Sequence, residues 1–333
     1  MILIFTNKED IHPSPVIDIL TERDAPFFRF NTEALLVDYE LDWYFENGKS
    51  DFRIRDKENG KVCIGSEISA VWDRRPTAPE MLPMHNTEEI DKFRLKEALG
   101  FLRFLRYYIE DIPSIGSISG DRVASSKMLQ YRTAADVGFS VPRTIFSNNK
   151  DCVSSFFSDK ERLSVKPIDS SYVWDEDKNL DYVFFTQVLQ SKDVPSIPEE
   201  AFSQTVNFVQ EYVPKDYEVR VTVVGDDVFA TRIDSQKMPE NEGAVDWRQG
   251  YNHGMKWEAI VLPEVIASRC RDLVHALGLN FGCIDLIVRP DGEYVFLECN
   301  PNGQWLWIEL ETGQKISESI ATFLIKQNTL HYA

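Results

Sequence analysis

Residues 285–300 read Asp-Leu-Ile-Val-Arg-Pro-Asp-Gly-Glu-Tyr-Val-Phe-Leu-Glu-Cys-Asn, which is the pattern of a β-hairpin. The dipeptide Asp291-Gly292 favours a tight two-residue turn, and the flanking residues are rich in Val, Ile, Phe and Tyr, as strands are. If this dipeptide is the loop, Pro290 faces Glu293 across the turn. That pairing predicts the register of the whole hairpin.

Three oxygen-bearing side chains are predicted to meet on one face of this hairpin. Counting outward from the turn, Asp285 lies opposite Glu298, and Asn300 shares a face with Glu298 because side chains alternate along a strand. Two carboxylates that face each other repel, and a cation would relieve the repulsion. An all-oxygen set that leaves room for water and phosphate suits Mg²⁺. The alternative is an acidic hairpin that is simply solvated.

Length and composition predict a folded protein of two or three packed units. The chain has 333 residues, of which 43% are hydrophobic, and its net charge is −18. Such a charge argues against a general binder of nucleic acid or of anionic membranes. Five scattered cysteines without a Cys-x-x-Cys pair are typical of reduced thiols. We find no apolar stretch of membrane-spanning length and no signal peptide, so a cytoplasmic protein is expected.

The order of the predicted elements begins with an α/β pattern. Residues 2–5 and 26–30 have strand character, and a helix is predicted between them at 14–20. A long amphipathic helix is predicted at 87–109. The loop at 113–121 is rich in Ser and Gly and is the first predicted domain boundary.

Two lysines are candidates for holding phosphates. Lys127 follows the Ser/Gly-rich loop, and Lys166 ends an apolar strand immediately before a proline. Lysine is seldom buried unless it is paired, so a phosphate is a reasonable partner for either one. The sequence has neither a P-loop nor a Rossmann glycine fingerprint, so any nucleotide is held in another way. The alternative is that both are ordinary surface lysines.

A polar strand end at Gln210-Glu211-Tyr212-Val213 is a candidate for reading an adenine edge. The segment leaves an apolar strand and meets Pro214, which leaves backbone groups free to bind a ligand. The nearby Glu218 could accept a hydrogen bond from a ribose hydroxyl. An ordinary strand end is the alternative.

Three arginines, Arg220, Arg232 and Arg248, each lie two residues from an acidic residue. In an extended segment this spacing puts the acid and the arginine on one face. Arginine stays protonated and matches phosphate oxygens bidentately, so these residues could clamp a transferring phosphoryl group. Plain salt bridges explain the same spacing equally well.

Two more segments carry candidate side chains. Residues 72–76, Trp-Asp-Arg-Arg-Pro, end a predicted strand and could place Arg74 and Arg75 beside a cleft. Residues 300–307, Asn-Pro-Asn-Gly-Gln-Trp-Leu-Trp, follow the candidate metal ligands, and Gly303 would let the backbone approach a ligand.

In this order the motifs resemble those of the ATP-grasp superfamily: Lys127, Val-Lys-Pro at 165–167, Gln-Glu-Tyr-Val at 210–213, Glu-Val-Arg at 218–220, and Asp285 with Glu298 and Asn300. Within it the chain is most similar to the graspetide synthetases, the microviridin-type macrocyclases that cross-link a ribosomally made precursor peptide. Residues 72–76, 246–248 and 300–307 carry this closer resemblance, which spans essentially the whole chain.

The resemblance implies an α/β (α+β) ATP-grasp fold. We expect an N-terminal pre-ATP-grasp domain at 1–115, a central subdomain at 116–212 and a C-terminal subdomain at 213–333, with ATP between the last two. It assigns phosphates to Lys127 and Lys166, adenine to Gln210, Glu211, Tyr212 and Val213, ribose to Glu218, and Mg²⁺ to Asp285, Glu298 and Asn300. Arg220, Arg232 and Arg248 would hold the reacting group, and Arg74, Arg75, Asp246 and Asn302 would contact the substrate.

The implied reaction is an ATP-dependent cyclisation in two steps. An Asp or Glu side chain of the peptide attacks the γ-phosphate, and a Ser or Thr hydroxyl or a Lys amine of the same peptide then displaces phosphate. The product is a side-chain ester or amide. The expected partner is a precursor peptide, with its leader segment recognised near residues 172–205, and the enzyme is expected to be a homodimer.

Two other functions remain open at this stage. One is an ATP-grasp ligase that adds an amino acid to a small molecule or a protein tail. The other is a nucleotide-regulated peptide-binding protein without turnover.

Overall fold

The computed structural model describes residues 1–80, 87–116, 124–169, 171–175, 178, 180–239, 243–250 and 254–331. Residues 117–121 of the predicted boundary loop lie outside these ranges. No helix within them is long and apolar enough to cross a bilayer.

The N-terminal unit is built on a parallel sheet with strand order β2-β1-β6-β7. Its helices cover both faces, so every residue of β1 is buried, as in other parallel sheets with two covered faces. An antiparallel meander, β3-β4-β5, packs beside it. The elements are β1 (Ile2–Thr6), α1 (Pro13–Glu22), β2 (Phe27–Asn31), β3 (Tyr39–Glu46), β4 (Lys49–Asp56), β5 (Val62–Ile64), β6 (Ala70–Asp73), α2 (Glu88–Tyr108) and β7 (Ser114–Ile115).

The central unit is a four-stranded antiparallel sheet with the order β12-β9-β13-β8. Its own core contains Phe157, Leu163 and Val209. A separate two-stranded ribbon, β10-β11, extends from it. The elements are α3 (Lys127–Asp136), β8 (Thr144–Ser147), α4 (Lys150–Phe156), β9 (Arg162–Lys166), β10 (Tyr172–Asp175), β11 (Leu180–Val183), β12 (Gln187–Gln190), α5 (Glu199–Phe202) and β13 (Asn207–Glu211).

The C-terminal unit is a five-stranded antiparallel sheet with the order β16-β15-β14-β17-β18. One face packs on α6 through residues such as Val219, Leu273 and Leu286. The last helix, α8, returns to the N-terminal unit and shares a core with Ile4 and Trp72. The elements are β14 (Tyr217–Val224), β15 (Asp227–Ile233), β16 (Trp257–Ile260), α6 (Glu264–Ala276), β17 (Phe281–Val288), β18 (Tyr294–Asn300), α7 (Leu306–Thr312) and α8 (Ile316–His331).

The β17–β18 hairpin confirms the predicted pairing of Asp285 with Glu298, but through a different turn. Arg289, not Pro290, faces Glu293, and its N–H donates to the Glu293 carbonyl at 2.9 Å. The loop therefore has three residues and ends on Gly292, whose φ of +87° favours glycine.

A β-bulge next to Asp285 then shifts the register by one residue. The prediction of a two-residue turn was wrong by one residue. The extra residue at the bulge shifts the register back, so the predicted Asp285–Glu298 pair still forms. As a result Cys283 pairs with Asn300, two positions along from the Asp285–Glu298 pair, so Asn300 and Glu298 share a face as predicted.

Candidate functional site

A cavity of about 310 Å³ lies where the central sheet faces the C-terminal sheet. Among the described residues, its lining includes most of the predicted site: Lys127, Lys166, Gln210, Glu211, Tyr212, Val213, Glu218, Asp246, Arg248, Asp285, Glu298 and Asn300. Five other predicted residues are not in this lining: Arg74, Arg75, Arg220, Arg232 and Asn302. Residues far apart in the sequence thus converge on one polar cavity.

The two hairpin carboxylates differ in their surroundings. Burial raises the pKa of Asp285 to about 6, although the guanidinium of Arg220 opposes this shift. Burial also disfavours the charged form of Glu298, but Lys127, Lys166 and Arg248 outweigh it and lower the pKa of Glu298 to about 2. Glu298 is therefore the carboxylate of this pair that three cations keep ionised.

The donor set fits a hard divalent cation. Atom Oδ1 of Asp285 is buried and has no hydrogen-bond partner among the described residues, so it has an open coordination position. No group of three or more His, Cys, Asp or Glu side chains in the described ranges could hold a metal ion by itself. Two carboxylates and the amide oxygen of Asn300 would leave the remaining positions to water and phosphate, as Mg²⁺ prefers.

The two predicted lysines reach the cavity from different elements. Lys127 begins helix α3, and its Nζ donates to Oε2 of Glu298 at 2.9 Å. Lys166 ends strand β9, and burial together with the neighbouring Lys127 lowers its pKa. Both lysines share the anion Glu298, and a bound phosphate would add negative charge beside two cations in a partly dry site.

The strand end at 210–213 lines the cavity and forms polar contacts with other residues of the central unit. The carboxylate of Glu211 pairs with Lys160 at 2.7 Å and accepts from the N–H of Arg143 at 3.1 Å. The N–H of Tyr212 donates to the Arg162 carbonyl at 3.0 Å. The Glu211 side chain thus holds the strand end while it also lines the cavity, and its predicted contact with adenine stays a prediction.

Lys215 is a cavity residue that the sequence analysis missed. Its Nζ donates to Oε1 of Glu218 at 2.6 Å and to the Val245 carbonyl at 3.0 Å. Ser235 donates to the same Glu218 oxygen at 2.7 Å. The signal was present as a lysine three residues before the predicted ribose ligand, directly after Pro214.

Arg248 is held rigidly by Asp246. The guanidinium donates from Nε to Oδ1 at 2.8 Å and from Nη2 to Oδ2 at 2.5 Å, which is a bidentate pair. Burial opposes ionisation of Asp246, but Arg248 lowers its pKa to about 2. Thr186 of the central unit adds two contacts of 3.1 Å to the same carboxylate. Asp246 orients Arg248 at the cavity, and its predicted contact with the substrate stays a prediction.

A group of three tryptophans anchors the segment that carries Arg248. Trp247 packs against Trp257 and Trp307, with 5.7 Å between ring centroids in each case. Such edge and tilted contacts add to the stabilisation from burial. Arg248 therefore projects into the cavity from a fixed base.

Arg220 and Arg232, which were predicted to hold the reacting group, both lie outside the cavity lining. Arg220 is 6% exposed, and its Nη1 donates to Oδ2 of Asp285 at 2.8 Å, so it holds a candidate metal ligand rather than facing the cavity. Arg232 pairs in the sheet with Val219, which puts it on the face opposite Arg220. There it lies 3.8 Å from the ring centroid of Tyr217. We therefore remove Arg232 from the candidate phosphate clamps.

Arg74, Arg75 and Asn302, which were predicted to contact the substrate, lie outside the cavity lining and contact one another at a loop. Arg74 is 1% exposed, and its Nη1 donates to the Asn302 carbonyl at 2.7 Å. Arg75 donates to the same carbonyl at 3.1 Å. A Cβ on Gly303 would lie 2.3 Å from the Cβ of Cys283, so glycine allows close contact with the protein itself rather than with a ligand.

Two family models match the chain. The MvdD pre-ATP grasp domain matches residues 1–118, and the RimK-like ATP-grasp domain matches residues 176–324. No curated protein matches.

Several solved structures share the fold over nearly the whole chain. A RiPP-associated ATP-grasp ligase of Chryseobacterium gregarium, in complex with ADP and a leader and core peptide, is 27% identical with a TM-score of 0.87, over 98% of this chain and 96% of that chain. Macrocyclase MdnC of Microcystis aeruginosa MRC, bound with precursor peptide MdnA, is 28% identical with a TM-score of 0.81, over 98% and 99%. The ATP-grasp ligase PsnB, complexed with minimal precursor, Mg and ADP, is 19% identical with a TM-score of 0.75, over 98% and 97%, and is evidence for the fold alone.

These matches confirm the predicted ATP-grasp fold with its N-terminal pre-ATP-grasp domain. The chain is an ATP-grasp protein, and its predicted similarity to the graspetide synthetases is confirmed.

Proposed function

We propose that this protein is an ATP-dependent macrocyclase that forms side-chain esters or amides within a ribosomally made precursor peptide. The observation that carries the proposal is one cavity in which Lys127, Lys166 and Arg248 meet the carboxylates of Asp285 and Glu298. Cations for phosphates and an all-oxygen set for Mg²⁺ are the parts that phosphoryl transfer requires. Relatives that cover nearly the whole chain carry ADP and peptides, which supports the same use here.

The proposed nucleotide site runs across the cavity. Lys127 and Lys166 hold phosphates as point charges, and the backbone of residues 210–213 lies beside the adenine. Glu218, held by Lys215 at 2.6 Å, accepts from a ribose hydroxyl. Asp285, Glu298 and Asn300 would hold Mg²⁺, which would supply positive charge to the phosphate oxygens.

The proposed chemistry activates a carboxylate that is otherwise a poor acylating group. An Asp or Glu oxygen of the peptide attacks the γ-phosphorus; an O–P bond forms, the β,γ-bridging P–O bond breaks, and ADP leaves. A hydroxyl or amine of the same peptide then attacks the acyl carbon, and a new C–O or C–N bond forms. The bond from the acyl carbon to the bridging oxygen breaks, inorganic phosphate leaves with that oxygen, and the nucleophile loses its proton to phosphate or water. Arg248 is our candidate for stabilising the transferring phosphoryl group, because Asp246 fixes its orientation.

The ribbon β10-β11 is our proposed docking surface for the leader segment of the peptide. Large apolar side chains are exposed on both of its faces: Tyr172, Val173, Trp174, Leu180, Tyr182 and Val183. A two-stranded ribbon is marginally stable alone, and a contiguous exposed apolar surface favours a partner. An extended peptide can dock on such a surface by strand pairing and side-chain contacts.

The remaining parts of the proposal concern organisation. We keep the boundaries 1–115, 116–212 and 213–333, with the qualification that α8 packs on the N-terminal sheet. A homodimer and a cytoplasmic location stay predictions. The five cysteines, Cys63, Cys152, Cys270, Cys283 and Cys299, are all free, which is consistent with a reducing compartment.

The test is ATP-dependent mass loss in the peptide encoded beside the gene. Purified protein, ATP, Mg²⁺ and that peptide should give ADP, phosphate and a product lighter by one water per ring. Asp246→Asn, which keeps the shape but removes the charge that orients Arg248, should lower the rate about 100-fold. A mass gain would instead indicate a ligase that adds a group, and ADP binding without turnover would indicate a peptide-binding protein.

A further inference from the structure

Three buried side chains at the carboxyl edge of the N-terminal sheet form a chain of polar contacts that the proposed chemistry does not use. They are Asp10, His12 and Arg74, which are 9%, 7% and 1% exposed. Atom Nδ1 of His12 lies 2.8 Å from Oδ1 of Asp10, and Nε of Arg74 lies 3.0 Å from Oδ2 of the same carboxylate. One buried carboxylate thus orients both a histidine and an arginine.

Both oriented side chains contact the backbone of the loop at residues 302–305. Nη1 of Arg74 donates to the Asn302 carbonyl at 2.7 Å. The N–H of Trp305 donates to Nε2 of His12 at 3.4 Å, and the two rings pack edge to face at 5.4 Å. The loop is therefore held at both of its ends by residues from the N-terminal unit.

The tautomer of His12 follows from its partners. Because Nε2 accepts from Trp305, the proton must lie on Nδ1, which donates it to Asp10. A neutral ring of this tautomer is also what its surroundings favour, because burial and then the cation of Arg74 lower the pKa of His12 against the opposing effect of Asp10. Because Asp10 accepts the Nδ1 proton, Nε2 of His12 stays unprotonated and can accept the N–H of Trp305.

The same loop contacts two parts of the candidate metal site, Asn300 directly and Asp285 through Arg220. The N–H of Asn302 donates to Oδ1 of Asn300 at 3.2 Å. The carbonyl of Gln304 accepts from Nη2 of Arg220 at 3.4 Å, while Nη1 of Arg220 holds Asp285 at 2.8 Å. A displaced loop would therefore move one candidate ligand directly and another through Arg220.

We infer that Asp10, His12 and Arg74 are positioning residues for Mg²⁺–nucleotide binding, acting through the 302–305 loop on Asn300. No described residue that lines the cavity comes from the N-terminal unit, so contacts through this loop are a route by which that unit can act on the site. The inference rests on the proposed function, because it needs the hairpin to bind Mg²⁺. It predicts that binding will be sensitive to residues that touch neither metal nor nucleotide.

The experiment measures how Mg²⁺ tightens ADP binding, by calorimetry on the full chain with ADP and MgCl₂. Variants are His12→Ala, His12→Gln and Arg74→Lys, with Arg106→Ala as the matched control. Arg106 pairs with Asp73 at 2.6 Å at the same sheet edge, so its loss also breaks a partly buried ion pair of this unit. Melting temperatures are recorded for every variant, and binding is compared only where the protein is folded.

His12→Ala should need at least tenfold more Mg²⁺ for half-maximal tightening of ADP binding, in keeping with the effect of residues that orient metal ligands. His12→Gln, whose amide offers a donor and an acceptor, should return to within threefold of wild type, and Arg74→Lys should fall between the two. Arg106→Ala should stay within twofold even if its melting temperature falls.

Two results would overturn the inference while leaving the proposed function intact. The first is a wild-type Mg²⁺ dependence in His12→Ala, which would make the network purely structural. The second is an equal shift in Arg106→Ala, which would point to general destabilisation. If ADP binding by the wild type does not respond to Mg²⁺, the metal assignment itself fails, and the inference fails with it.

Discussion

Replacing Glu298 with glutamine tests whether this residue is a metal ligand. Glu298→Gln keeps the size of the side chain but removes the one anion that faces Lys127 at 2.9 Å. In the wild type without metal, this carboxylate neutralises the lysine and repels incoming phosphates. The substitution should therefore tighten ADP binding in the absence of Mg²⁺. It should also abolish most of the increase in ADP affinity that Mg²⁺ gives to the wild type.

The size of the effect follows from the charges. Two unit charges about 6 Å apart interact by about 3 kcal/mol at an effective dielectric constant of about 20. The Glu298 side chain is 38% exposed, so solvent screening reduces this gain. We expect about 1.4 kcal/mol, or about tenfold tighter Mg²⁺-free ADP binding. Turnover should fall about 100-fold, because the charge stabilisation that the metal supplies is lost.

The assay is calorimetric titration of ADP in excess MgCl₂ and in a chelator. Glu293→Gln is the matched control, since Glu293 belongs to the same hairpin at the end away from the cavity and pairs with Arg289. It should behave as wild type in both conditions. Weaker Mg²⁺-free binding in Glu298→Gln, or an unchanged benefit from Mg²⁺, would refute the reasoning.

Three further changes follow from the geometry. Arg232→Ala should leave turnover within twofold, because its guanidinium stacks on Tyr217 on the far face of the sheet, and a tenfold loss in a steady-state assay would contradict that position. Gly303→Ala should lower the free energy of unfolding by about 1–3 kcal/mol in denaturant titration, because the new Cβ would lie 2.3 Å from a neighbouring Cβ; wild-type stability would show that the loop is not closely packed. His12 should lower the free energy of unfolding as pH drops below 6.5, because burial lowers its pKa and the unfolded chain then binds the proton first, whereas Asp285, with its pKa raised to about 6, contributes in the opposite direction. His12→Gln should remove the destabilising contribution, so that it loses less stability than the wild type between pH 7 and pH 5, and an unchanged slope would rule His12 out as its cause.

The hairpin shows how a local pattern can be right about a pairing and wrong about a turn. Alternation and the Asp-Gly dipeptide predicted that Asp285 faces Glu298, and the structure has this pair. The loop is one residue longer than predicted, and a bulge next to Asp285 restores the register. Bulges depend on twist and packing against other elements, which no local pattern encodes.

The three arginines show what residue spacing alone could not predict. An acid and an arginine two residues apart were predicted to share a face, but the spacing cannot say which face looks onto the cavity. Arg248 does line the cavity, Arg220 braces Asp285, and Arg232 lies on the other side of the sheet. Only the strand order and register of the five-stranded sheet separate these three roles.

The sequence by itself determined the order of the motifs, the residue types that suit phosphate and Mg²⁺, and the hairpin that joins two carboxylates. These follow from periodicity and side-chain chemistry, which act over a few residues. Tertiary structure alone decided that Glu211 is tied to Lys160, that Lys215 enters the cavity, and that Arg74 reaches across to a loop more than two hundred residues away. Such contacts depend on how the three units pack against one another, and a buried polar group takes whichever partner that packing brings within reach.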